Sequence, residues 1–555
     1  MSQVFEPDPG GQVPAAPLTR RQINLIFFGL MLGMLLAALD QTAVATALPT
    51  IAGELGGIGH LSWVVTAYLL TSTAATPLFG KLSDLYGRKL LFQSAIAIFL
   101  VGSMLSGLSQ NMLELILFRA IQGIGGGGLL ALAMAIVGDI VSPRERGRYQ
   151  GYFGGVFTVS SVAGPLIGGF FTEHLSWRWI FYINIPLGIV ALIVTSFVLR
   201  LNFIRRQASV DYTGAALLVG GVVALLLVTV WGGTSFPWTS PTIIVTGLAG
   251  VALVVGFVIW ERSYASEPIL PLRLFRTRLF TVANTMAFLL GMIMFGALIY
   301  LQEYFQLVKS LSPTVSGLMM LPMMTALLIS SVVGGRLVTR FGRYKALVVT
   351  GSAFMVFGMW LLAHLGADTT LWECGVFMVP VGLGMGSVMQ NLVLAVQNSV
   401  SAGDMGTASA AVNFFRSMGA SFGVAMFGAV LTARMDYWIP KLVPGATERH
   451  LGASIVTTPV EVHQLPPAMQ SGIYSAFVLS IHAVFWVGVP IAAVCLVLSV
   501  FLPELPLRRF SHLGADMVEA VPAGTFPEEL PDEVVPTTNG DLTGAREYPA
   551  ASGEG

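Results

Sequence analysis

Gly80-Lys81-Leu82-Ser83-Asp84-Leu85-Tyr86-Gly87-Arg88-Lys89 returns 255 positions later as Gly335-Arg336-Leu337-Val338-Thr339-Arg340-Phe341-Gly342-Arg343-Tyr344-Lys345, and each copy lies between two long apolar stretches. A charged turn repeated in this way marks a duplicated membrane protein. Large transporters are built from internal repeats, and rocking one repeat against the other moves a central site from one side of the bilayer to the other. The repeat reaches past the turn. Val141-Ser142, Glu145 and Gly147 return as Val400-Ser401, Asp404 and Gly406, and Gly123, Gly125 and Gly127 return as Gly382, Gly384 and Gly386, all at an offset of 259. Glycine inside a membrane helix lets another backbone approach closely, so these positions predict either tight helix packing or the lining of a path. Charge is not duplicated: Arg119 corresponds to Met378.

Composition points the same way. Of 555 residues, 55% are hydrophobic and 10% charged, and the mean hydropathy is +0.77, a profile of chains that live in lipid rather than of soluble domains. Formal net charge is zero, and the basic residues are scattered through short loops, which argues against a nucleic-acid face. Cys374 and Cys495 both fall in apolar stretches and supply neither a disulfide framework nor a metal cluster. No phosphate-binding Gly-x-x-x-x-Gly-Lys-Ser/Thr loop occurs, since the Gly125 to Gly128 run leads into leucines, and no catalytic constellation appears. The expectation is a protein without enzyme activity, metal or cofactor, driven by an ion gradient.

Apolar runs near the ~20 residues needed to cross a bilayer occur at about 25–47, 62–80, 90–108, 111–137, 149–171 and 179–199, then 212–231 and 242–260, then 279–301, 313–335, 346–365, 371–398, 408–432 and 474–502. This predicts an all-α integral membrane protein of 14 spans. Its parts are a segment 1–24, a six-helix bundle 25–200, two inserted helices within 201–278, a second six-helix bundle 279–503 with an external loop at about 433–473, and a disordered tail 504–555. An even number of spans puts both termini on one side. Lys81, Arg88, Lys89, Arg144, Arg146, Arg148, Arg273, Arg276, Arg336, Arg340 and Arg343 flank that side, against Arg178, Lys309, Arg434, Lys441 and Arg449 on the other, which makes it the cytoplasm. The inserted pair breaks the six-plus-six symmetry and has Asp211 as its boundary charge. It is expected to pack outside both bundles, facing lipid, with Trp231 and Trp238 in the outer interface.

Charges inside the hydrocarbon are expensive and so mark candidate sites. Asp40 lies nine residues before Pro49 and Arg119 eight after Asn111, which at the helical rise puts each roughly 12 Å below the outer surface. They can face each other. Burial disfavours a carboxylate's charge and a nearby guanidinium favours it, so a movement that separates the pair would couple a proton to conformation; a fixed ion pair that only orients two helices is the alternative. Gln122, Glu303, Asn413 and Arg416 are the candidates for a substrate path. Met286, Met292, Met294, Met319, Met320, Met323 and Met324 in spans 9 and 10 suit either a pocket for varied lipophilic shapes or ordinary core.

Four elements now stand together: Leu39-Asp40-Gln41-Thr42 running to Ala47-Leu48-Pro49, the Gly80 to Lys89 turn, Arg119-Ala120-Ile121-Gln122-Gly123, and Gly164-Pro165-Leu166-Ile167-Gly168-Gly169. In this order the chain from about 20 to 505 resembles the major facilitator superfamily, specifically its fourteen-helix drug:proton antiporter branch of multidrug efflux transporters. The resemblance implies that Asp84 caps a helix of the second half beginning near Gly406, and that Arg88 pairs with Asp139, so that Gly80, Asp84, Gly87, Arg88 and Asp139 form a conformational latch. Gly164, Pro165, Gly168 and Gly169 resemble the signature separating antiporters from symporters, a bent helix 5 packed through small residues. The second half departs from it, with Thr339 in place of the aspartate and Val424 in place of the proline. The implied activity is proton-coupled export of lipophilic, cationic drugs by alternating access in the plasma membrane, from a monomer whose partners are lipophilic small molecules, protons and membrane lipids. Export of lipids or metabolites, proton-coupled uptake, and a scaffold without transport are the competing readings; a scaffold would not need Asp40 and Arg119 in the membrane.

Overall fold

The computed structural model describes residues 19–55, 61–199, 210–233, 235–265, 267–443 and 466–507. The chain before residue 19, the segment 444–465 and the tail from 508 lie outside them, so the expectations for the two termini and for most of the external loop fall on residues not described. The described residues are helical, without a strand among them: α1 (Arg20–Leu55), α2 (Leu61–Tyr86), α3 (Arg88–Leu108), α4 (Met112–Ile140), α5 (Pro143–His174), the single turn α6 (Trp179–Tyr182), α7 (Asn184–Val198), α8 (Tyr212–Trp231), α9 (Pro241–Ser263), α10 (Arg278–Leu307), α11 (Pro313–Leu318), α12 (Leu321–Phe341), α13 (Lys345–Leu362), α14 (Leu371–Ser399), α15 (Met405–Leu442) and α16 (Pro467–Phe501).

Thirteen of the described segments are long and apolar enough to span a bilayer. The other expected span, α2, is 26 residues long and carries Thr66, Thr71, Ser72, Thr73, Thr76 and Ser83. Several of these face protein rather than lipid, which lets a spanning helix be polar. Boundaries shift where apolar content and helix length part company. Span 6 is split between α6 and α7, and span 10 between α11 and α12. α1 continues through Pro49 to Leu55, and α15 continues to Leu442, so the external loop expected from 433 starts about ten residues later and ends before α16 at Pro467.

Two bundles result. α4 is clasped between α2 and α3, with α1, α5 and α7 completing the first; α14 is clasped in the same way between α12 and α13, with α10, α15 and α16 completing the second. The duplicated glycines explain the clasp. A side chain at Gly125 would strike the Phe99 nitrogen at 2.5 Å and the Ala95 carbonyl at 2.6 Å on α3, and one at Gly384 would strike the Gly351 carbonyl at 2.6 Å on α13. Gly123 and Gly127 press on α2, and Gly382 and Gly386 on α12. These glycines are packing surfaces.

The inserted pair departs from expectation. α9 does face outward, exposing Val245, Leu248, Val251 and Ile259. α8, however, lies against α2 of the first bundle and α15 of the second, and covers the seam between them. Trp231 packs edge-on against Trp63, centroids 5.9 Å apart, and Trp238 folds back over Gly232 and Gly233. Asp211 caps α8 through the Gly214 nitrogen (2.8 Å) and accepts from the Trp260 indole (2.9 Å). A second acid, Glu261, is buried at the end of α9 and accepts from the Ile269 nitrogen at 2.8 Å.

Candidate functional site

Asp40 on α1 is 1% exposed. Its Oδ2 accepts from Arg119 Nη1 of α4, and its Oδ1 accepts from Gln122 Nε2 of α4 at 2.9 Å and from Asn184 Nδ2 of α7 at 3.2 Å. Arg119, equally buried, also donates to Gln122 Oε1 (2.8 Å) and to the Val64 carbonyl of α2 (3.3 Å), and lies 4.4 Å from the Tyr68 ring centroid. A carboxylate and a guanidinium removed from water are costly unless paired and further hydrogen-bonded; here both conditions are met by four helices converging on one carboxylate.

The conserved geometry of the duplication appears at the Arg88 end, where each bundle's Gly-containing turn crosses a helix start of the other. Gly80 on α2 meets Gly406 on α15, whose carbonyl would lie 2.9 Å from an added side chain, and Gly335 on α12 meets Gly147 on α5, whose own added side chain would lie 2.9 Å from the Gly335 carbonyl. The positions that the repeat relates are thus the positions that touch crosswise. At the first crossing Asp84 accepts from the Gly406 nitrogen (3.0 Å), the Thr407 nitrogen (2.9 Å) and the Thr407 hydroxyl (2.9 Å), a carboxylate on the positive end of a helix. Arg88 is ion-paired with Asp84 and, at 2.7 Å, with Asp139. Gly87, with φ 96°, makes the turn between α2 and α3 in a conformation that costs other residues a clash. Thr339, in Asp84's place at the second crossing, carries no charge and donates to the Gly335 carbonyl of its own helix (2.9 Å).

Two further ties at this end were not legible beforehand. The segment leaving α9 is bound to the first bundle by Lys81–Glu267 (2.8 Å) and to the second by Arg273–Asp404 (2.7 Å). Deeper in, Gln150 of α5 donates to Gln397 of α14 at 3.0 Å, and Gln397 donates to the Met134 carbonyl of α4 at 2.9 Å. The seam is closed on this side.

Toward the opposite end the bundles part around a cavity of about 780 Å³. Leu130, Phe157, Met389 and Arg416 form its inner part, Thr73, Met294, Phe295 and Tyr300 its walls, and Asp436 lies at its rim; the end of α8 contributes Thr229, and the turn after it Gly232, Gly233 and Trp238. Of the expected path residues Arg416 lines the cavity, while Gln122 belongs to the Asp40 cluster, Asn413 lies behind Arg416 and Glu303 lies beyond Tyr300, outside the lining. Met294 is the one of the seven methionines of α10 to α12 that reaches it; Met286, Met323 and Met324 are core. Gly164 presses on Thr42, whose hydroxyl donates to the Ser160 carbonyl at 2.9 Å, and α5 is continuous through position 165. Gly168 is buried, and around Gly169 there is open space.

A family model described as Major Facilitator Superfamily matches residues 30–211 and 212–424. The chain belongs to the Major Facilitator Superfamily. It is therefore a multi-pass membrane transporter of small molecules and not an enzyme. It is 39% identical over 512 residues to the multidrug transporter protein MdtP of Bacillus subtilis (strain 168), covering 88% of this chain and 94% of that one. An uncharacterized MFS-type transporter of Mycobacterium tuberculosis (strain ATCC 25618 / H37Rv) is 40% identical over 509 residues, 91% of this chain and 74% of the relative. Among solved structures, the proton:xylose symporter XylE aligns with a TM-score of 0.58 at 14% identity, over 90% of this chain and 99% of that one, a likeness of fold.

Proposed function

We propose that this protein exports lipophilic drugs across the plasma membrane in exchange for protons, by alternating access, as a monomer with both termini in the cytoplasm. The observation that carries the reading is Asp40: a carboxylate sealed from water, held by a permanent cation and two amides, at the junction of α1, α2, α4 and α7. Separating the pair leaves a buried charge without a partner, and taking up a proton removes that charge. Proton occupancy and helix arrangement are thereby tied. Asp84, Arg88 and Asp139 act as the latch: the bonds of Asp84 to the start of α15, with Arg88 and Asp139 paired behind it, exist only while the Arg88 end is closed, and that end is cytoplasmic by the distribution of basic residues. The cavity then faces outward. Export rather than uptake is supported by similarity to a protein named a multidrug transporter and by the resemblance of the Gly164-Pro165 element to the antiporter signature.

Everted membrane vesicles test the reading. Adding a lipophilic substrate to energised vesicles is expected to dissipate part of their pH gradient, and Asp40→Asn to abolish the response. Substrate accumulation with no proton movement in the parent would sink proton exchange.

A further inference from the structure

The expected preference for cations does not fit the cavity's inner part. Arg416 on α15 lines it, is 7% exposed, and has one hydrogen-bond partner among the described residues, Asn413 Oδ1, at 2.6 Å from Nη2. Nη1 has none. Guanidinium carries five N–H donors and does not give up its charge in a protein, and buried charges are paired in stable structures. Two other buried guanidiniums follow that rule: Arg119 has Asp40, and Arg88 has Asp84 and Asp139. No carboxylate of the described cavity lining lies near Arg416. The other charged lining residue, Asp436, is twenty positions along the same helix, roughly 30 Å at the helical rise. Asn413 holds the guanidinium from behind: its side-chain amide also donates to the Ser409 carbonyl at 3.0 Å, which fixes its oxygen toward Nη2.

We propose that Arg416 is the anchor of an anion subsite, and that the substrates taken at the cavity's inner end are lipophiles bearing a carboxylate or a comparable anionic group. Resting on the transport reading above, this names the substrate class of the same cavity. The surroundings suit both ends of such a molecule. Leu130, Phe157, Met389 and Met294 offer an apolar bed, and Ser417 and Thr73 add hydroxyls. A planar guanidinium with a free edge matches a carboxylate in two-point fashion, which an ammonium does not. Asn413 is a positioning residue: it orients Arg416 and leaves the other edge to the ligand.

The test is binding to the purified full-length protein in detergent, without a gradient, so that failure of proton exchange and failure of the subsite remain distinguishable. Pyrenebutyrate, its neutral amide and a pyrenebutyl trimethylammonium share one apolar body and differ in the head group. The parent is expected to prefer the carboxylate over the amide by about tenfold or more, the scale of a charge-assisted bond. Arg416→Gln should collapse that ratio toward one, and Arg416→Lys, which keeps the charge but loses the two-point geometry, should retain only part of it; Asn413→Leu should reduce it by a smaller factor. Equal affinity for carboxylate and amide in the parent, or an unchanged ratio in Arg416→Gln, overturns the proposal. So does loss of the ratio on exchanging gluconate for chloride in the buffer, which would make the site a seat for an inorganic counter-ion.

Discussion

The two crossings at the Arg88 end are alike in backbone and unlike in chemistry. α2 meets α15 through Gly80 and Gly406, and α12 meets α5 through Gly335 and Gly147; yet the first carries a carboxylate with three bonds across the seam, and the second has an uncharged threonine in its place. The same inequality recurs deeper in, where the first bundle's arginine is saturated and the second bundle's Arg416 is half satisfied. Duplication preserved the contacts that glycine makes possible, because any side chain there collides with backbone. It left the charges free to differ, one bundle holding a buried ion pair and the other a buried guanidinium with an amide as its partner.

Removing the carboxylate at position 40 should strike hardest. Asp40→Asn is expected to abolish substrate-induced proton movement and to cost about 3–5 kcal/mol of stability, because Arg119 is left buried without its counter-charge. Adding Arg119→Gln should recover much of the thermal stability in detergent but none of the transport; recovery of both would make the pair a structural tie only. At the crossings, Asp84→Asn should slow turnover by about tenfold, within the range expected when a helix loses its cap, while substrate affinity stays within about twofold. Thr339→Val, which removes no charge, should slow turnover less, and equal slowing by both substitutions would erase the asymmetry. A smaller contrast separates two glycines of one motif. Gly164→Ala puts a methyl against Thr42 Cβ at 2.6 Å and should cost about 1–3 kcal/mol, whereas Gly169→Ala meets open space and should be neutral to slightly stabilising; unfolding temperatures and efflux rates of the two variants decide. Least affected should be the opposite rim, where the hydrogen bond from Arg178, the largest influence, holds the Glu54 carboxyl below the ordinary glutamate range. A depressed carboxyl contributes above its unfolded value and loses that contribution only as pH falls through the lower folded one. Glu54→Gln should therefore leave the efflux profile between neutral and mildly acidic pH unmoved, and a shift there would contradict this sign.

The repeat, the span count and the Asp40–Arg119 depth were legible in the sequence because they depend on local pattern: apolar length, glycine spacing, and distance from a helix end. The pairing of Arg88 with Asp139 and the cap of Asp84 on α15 came with the family resemblance. What stayed hidden depends on which side chain meets which across hundreds of residues. Nothing in the run around Arg416 says that no acid faces it, and Lys81–Glu267 and Arg273–Asp404 join short segments whose charges look like ordinary loop solvation. Hydropathy counted α2 as a span without saying that its threonines and serines are turned toward protein and cavity. It also missed the path of α8, since an all-round apolar helix reads the same whether its neighbours are lipids or other helices.

The position of α8 has a consequence for the surrounding bilayer. With the α2–α15 seam covered by a hairpin of the same chain, and Thr229, Gly232, Gly233 and Trp238 serving as part of the cavity wall, acyl chains are kept from that flank of the binding space. The solvent that a bound molecule meets there is a fixed set of side chains. Its affinity on that side is written into the polypeptide and does not vary with the lipid species a cell happens to make.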